Sequence, residues 1–150
     1  MSETPPAAPA PQADGSLKED EKNWGMLAHI LVFIGVVGVP FGNLVGPLIA
    51  YFVKKDESKY VRFHAIQSFA FQLGMTAIGI VLAIPFAVLF FITGGLIIFI
   101  AAPIFVLLSL AILVYVVLTG IKASKGEDAR YYYVGDWAYK KVYEEDWKPM

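Results

Sequence analysis

Two long stretches of the chain contain no Asp, Glu, Lys or Arg, one between Lys22 and Lys54 and the other between Arg62 and Lys122. All charge is confined to segments 1–22, 54–62 and 122–150. A helix needs only ~20 apolar residues to cross ~30 Å of hydrocarbon, and a charge at the bilayer centre costs roughly 2.5–3.5 kcal/mol on insertion scales. A soluble core helix keeps one wet, charged face. The pattern therefore predicts an all-α integral membrane protein of four helical segments. Open strands cannot span lipid, and the chain is short for a barrel.

The longer gap reads as a full transmembrane hairpin. Thr93-Gly94-Gly95 supplies the turn, with one arm from about Phe63 to Ile92 and the other from about Leu96 to Ile121. Both arms exceed the minimum span, which predicts tilt or bending, and Pro85 and Pro103 predict kinks. The shorter gap is interrupted by Pro40-Phe41-Gly42-Asn43 and by Gly46-Pro47. It resolves into two short pieces, Trp24–Val39 and Leu44–Val53, forming a full or re-entrant hairpin, with a single crossing as the alternative. Three regions follow: a Pro/Ala-rich and charged N-terminal tail over 1–22, expected to be disordered, a helical membrane domain over 23–122, and an aromatic, charged tail over 123–150.

Positive charge orients this arrangement. Lys54, Lys55, Lys59 and Arg62 lie before the long hairpin, and Lys122, Lys125 and Arg130 after it. Both sets belong on the cytoplasmic side, so the expectation is a multi-pass protein of the cell membrane with its C-terminus inside. A returning first hairpin also places the N-terminus inside. The net charge of −1 offers no electrostatic case for nucleic acid. The absence of cysteine removes disulfides and thiolate chemistry. The N-terminal residues lack the basic start and adjoining apolar run of a signal peptide.

Several runs together resemble a known family: Trp24-Gly25-Met26-Leu27-Ala28-His29, Gly42-Asn43-Leu44-Val45-Gly46-Pro47-Leu48-Ile49, Lys54-Lys55-Asp56-Glu57-Ser58, Val61-Arg62-Phe63-His64-Ala65, Phe69-Ala70-Phe71-Gln72 and Lys122-Ala123-Ser124-Lys125-Gly126-Glu127. They resemble a widespread set of small bacterial membrane proteins of unknown function. That set is similar to the small membrane subunit of the chloroplast inner-envelope protein import machinery (Tic-like). The resemblance spans roughly 24–130 and implies a helical membrane fold and, more weakly, a translocation-related role. The chain departs from the family at Ala70, where many members carry Asn, and in lacking a Pro after the Gly-Glu.

Candidate chemistry is sparse. His29 and His64 lie within or beside the apolar segments, and ionisable groups at membrane depth are functional candidates. Two histidines on separate helices are a possible ligand pair for a b-type haem, but hydrogen bonding at helix ends is the favoured reading. No cofactor or metal is expected. Along the third segment, His64, Ser68, Gln72 and Thr76 fall on one face, with Gln67 beside it. This stripe reads as interhelical glue, with a solute or ion path as the sharper alternative. Gly42 and Gly46 form a GxxxG spacing next to Asn43 and Pro47, which favours a bend over a dimer contact. The loop Lys54, Lys55, Lys59 and Arg62 is a topological signal or a lipid head-group contact. The tail Tyr131–Trp147 is dense in Tyr and Trp and reads as an interfacial helix, or else a docking site for a soluble partner.

The chain reads as a non-enzymatic accessory or assembly subunit of a membrane complex. Its partners are the bilayer and either a membrane protein or a second copy. An oligomeric channel or carrier is the alternative.

Overall fold

The computed structural model describes residues 17–38 and 41–145. The N-terminal tail up to residue 16, the Pro40 break and Trp147 lie outside the described residues. Five α-helices are present among those described, with no strand: α1 Glu19–Ile30, α2 Gly42–Lys54, α3 Lys59–Ile92, α4 Ile98–Ser124 and α5 Val134–Tyr139. The expected four segments are exceeded because the C-terminal tail folds a helix of its own. α1 tightens into a 3-10 segment over Leu31–Val37, and α5 runs into a π-helical turn over Lys140–Glu145.

Local chemistry sets the helix starts. Glu19, Asp20 and Glu21 occupy the first turn of α1, where carboxylates meet the positive end of the helix dipole. The Lys18 backbone N–H donates to Glu21 Oε2 at 3.0 Å. α3 begins at Lys59, four residues before the apolar run, because Ser58 caps it and accepts from the Val61 N–H at 3.3 Å. α3 and α4 each continue through their proline and are joined by a turn over 93–97 with positive φ at Gly94 and Gly95.

The shorter gap folds back on itself. α1 and its 3-10 extension pack against α2, and Lys54 at the end of α2 pairs with Asp20 at the start of α1 at 2.9 Å. Their outer ends therefore lie at one level. Close backbone approach holds the two arms together. A Cβ on Gly42 would sit 2.7 Å from the Gly35 nitrogen, and one on Gly46 would overlap the Leu31 carbonyl. The GxxxG spacing is thus consumed inside the chain. α1 also packs against α3 and α4, and the Tyr60 hydroxyl donates to the Ala123 carbonyl at 2.7 Å. The starts of α1 and α3 and the ends of α2 and α4 gather at one base.

Burial follows this base. The buried side chains of α3 run only from Tyr60 to Gln72, and those of α4 only from Val116 to Ala123. Three small clusters make the core: Ala28, Ala50 and Ala65 where α1, α2 and α3 meet; Val32, Val116 and Tyr131; and Phe63, Ala138, Tyr139 and Val142, where the tail packs on α3. Beyond the base, α3 and α4 project as an exposed apolar hairpin. α3 has 34 residues and α4 has 27. At ~1.5 Å per residue α3 is about 51 Å long. Both are long and apolar enough to cross a membrane.

Candidate functional site

The base encloses a hydrogen-bonded hub contributed by α1, α3 and the segment before α5. His29, His64, Gln67 and Ser68 are fully buried, and Tyr131 is 1 % exposed. His29 Nε2 lies 2.9 Å from His64 Nδ1, and His29 Nδ1 lies 2.8 Å from the Tyr131 hydroxyl.

Gln67 determines the direction of every bond. Its Nε2 donates to the Ala129 carbonyl at 2.8 Å, and its Oε1 accepts from the Tyr131 N–H at 3.1 Å. Exchanging the amide ends would oppose donor to donor and acceptor to acceptor, so the assignment is unambiguous. The same Nε2 is 3.0 Å from His64 Nδ1, which must accept. His29 Nε2, directed at that same nitrogen, must then donate. Burial pushes the His29 imidazole down to about 3, so the ring is neutral and its Nδ1 is an acceptor. Tyr131 donates to it, and burial raises the phenol so that it keeps its proton. The proton of His64 is left on Nε2, which is buried without a hydrogen-bond partner.

The geometry opposes a haem between the histidines. Two imidazoles on opposite sides of a haem iron, at roughly 2 Å each, would separate the nitrogens by about 4 Å, whereas they touch through one hydrogen bond. Among the described residues no group of three or more His, Cys, Asp or Glu is placed to hold a metal ion.

The other sequence-selected residues form a second, smaller contact. Asn43 Nδ2 donates to Gln72 Oε1 at 3.3 Å and to Thr76 Oγ1 at 3.1 Å, tying the inner end of α2 to the middle of α3. The stripe on α3 therefore faces α1, α2 and the tail. Lys54 is held by Glu57, at 2.6 Å, and by Asp20, at 2.9 Å, which raise its pKa. Lys55 reaches over the rings of Tyr51 and Phe52. Lys59 is exposed, and Arg62 is half-buried. Sequence reasoning missed Tyr131 and Ala129 as partners of the histidines. The only available signal was an aromatic run following a charged loop, which does not say which ring turns inward.

The fold and this interior define a class: a small helical membrane protein with two spanning-length helices and a buried, hydrogen-bonded polar hub at one end. Within that class the chain belongs to the magnetosome magnetite crystal formation protein family, MamF/MmsF, whose profile matches residues 20–138. No curated protein and no solved structure matches it. The membership overturns the resemblance to the chloroplast import subunit. The motifs behind that resemblance are close-packing glycines, capped helix ends and boundary lysines, which small helical membrane bundles share for packing reasons. The family's description names crystal formation and no enzymatic reaction, and nothing supports the channel alternative.

Proposed function

We propose that this chain is a non-enzymatic accessory or assembly subunit of the magnetosome membrane, acting in magnetite crystal formation. The observation that carries the reading is the family match, which covers the helical body from α1 through most of α5. The structure adds a constraint on how the protein acts. Charged side chains are absent between Arg62 and Lys122, so the far end of the α3–α4 hairpin presents only the turn around Gly94 and Gly95. Lys54, Lys55, Lys59, Arg62, Lys122 and Lys125 ring the base, which favours a cytoplasmic base. The chain then acts through membrane neighbours, with little polar surface to offer a mineral on the other side.

Deletion of its gene in a magnetosome-forming host tests this. Crystals should become smaller or misshapen by electron microscopy, with recovery on re-expression, and the tagged protein should co-purify with other magnetosome membrane proteins. Unchanged crystals would end the proposal.

A further inference from the structure

Tyr131, Tyr132 and Tyr133 are consecutive, yet the fold treats them oppositely. Tyr131 is buried in the hub, while Tyr132 and Tyr133 are 77 % and 79 % exposed. The backbone is forced to do this. Tyr133 has φ 61 and ψ −52, and the Val134 N–H donates to the Tyr132 carbonyl at 2.7 Å. This is a γ-turn with a positive central φ, a rare and strained conformation for a residue with a side chain. It holds the Tyr132 and Tyr133 rings edge to face at 4.3 Å on the outside of the molecule. One turn on, Trp137 is 51 % exposed, with Lys141 Nζ 5.4 Å from its ring centre. Tyr133, Val134, Trp137 and Ala70 of α3 border a shallow groove of about 330 Å³.

We propose that Tyr132, Tyr133 and Trp137 form an anchor seated in the headgroup layer of the bilayer, and that they set the depth at which α3 and α4 enter the hydrocarbon. The cluster adjoins α3 at Ala70, and the exposed apolar face of α3 begins at Leu73. From Leu73 to Ile92 is about 20 residues, or about 30 Å of helix, which equals the hydrocarbon thickness. On α4 the Tyr115 hydroxyl accepts from the Tyr132 N–H at 2.9 Å, which marks the same level. From Leu96 to Val114 is again close to 30 Å. Two helices of unequal length thus share one boundary, and the aromatic cluster lies on it. Rings with an apolar body and a polar tip favour that layer. Continuity with the spanning surface selects lipid over a soluble partner. Glu144 follows Lys140 and Lys141 and Asp136 is matched by Arg130, which keeps the local net charge small, so the seating is driven by the rings and is independent of lipid charge. The histidine hub then lies just outside the hydrocarbon.

The test uses the full chain with Trp24→Phe and Trp147→Phe, leaving Trp137 as the single tryptophan, in phosphatidylcholine vesicles. The inference rests on the membrane reading of α3 and α4, and failure of that reading would appear separately, as protein that does not float with vesicles. Lipids brominated near the headgroup should quench Trp137 at least twofold more than lipids brominated near the chain ends. Equal quenching in vesicles containing phosphatidylglycerol would support a ring-driven anchor. Access to aqueous iodide without lipid quenching, or stronger quenching from the chain ends, would overturn the proposal. Tyr133→Gly removes one ring and accepts the positive φ, so the fold survives. Shallow quenching should fall by half or more, and unchanged quenching would overturn the role of Tyr133.

Discussion

Gln67 is the side chain on which the interior depends. It bonds one helix to the tail through both ends of its amide and fixes the tautomer of His64 at the same time. Gln67→Leu would leave the Ala129 carbonyl and the Tyr131 N–H buried and unpaired. Each such orphan costs about 1–3 kcal/mol, so a loss of about 3 kcal/mol is expected in a denaturant titration in detergent. His29 adds a dependence on pH. Its folded value of about 3 lies below the ordinary 6.5. Above pH 6.5 both folded and unfolded states hold it neutral. As pH falls from about 6.5 towards 3, only the unfolded state takes up the proton, and stability drops by up to about 1.4 kcal/mol per pH unit. Thermal midpoints measured from pH 7.5 to pH 4 should fall on the acid side of 6.5, and a flat profile would contradict a neutral buried His29.

At the scale of elements, the first apolar stretch illustrates how small residues replace hydrophobic force. Gly35, Gly42 and Gly46 permit direct backbone contact between its two arms, closer than any side chain would allow. Gly46→Val should separate α2 from the Leu31 turn and destabilise the fold by about 2 kcal/mol or more, whereas Gly79→Ala, which meets open space, should be neutral. Thermal unfolding of the two variants side by side would distinguish a packing glycine from a merely permissive one. The break in this stretch was legible from Pro40-Phe41-Gly42-Asn43, whereas Gly46-Pro47, also expected to interrupt it, lies inside the continuous helix α2. The 3-10 tightening over Leu31–Val37 was not legible, since Leu, Val, Phe and Ile are compatible with either helix. α5 was legible only in part, as a short helix somewhere in the aromatic tail, without its bounds or its packing. It has only 6 residues and is stabilised by contacts of Ala138 and Tyr139 with Phe63 and by Arg130 over the Tyr139 ring, at 3.9 Å from its centre.

For the whole molecule, the decisive feature is that both hairpins return to one base. Single cysteines are readily placed because the chain has none. Lys125→Cys and Ser2→Cys should be labelled from the same side of sealed vesicles, and Leu96→Cys, exposed beside the turn, from the other. Opposite labelling of Ser2→Cys and Lys125→Cys would remove the cytoplasmic-base arrangement.

The sequence by itself determined the class, the two helices of spanning length and their turn. Excluding charge from lipid, and needing glycine where φ is positive, are local demands that leave a local record. It also marked His29, His64, Gln67, Ser68, Asn43 and Gln72 as polar groups in need of partners. Only the tertiary structure decided which partners they find. Residue types do not specify pairings across more than a hundred positions, such as His29 with Tyr131. Nor do they say that a strained turn sends Tyr131 inward and Tyr133 out, because that choice is made by the space left between α1, α3 and α4.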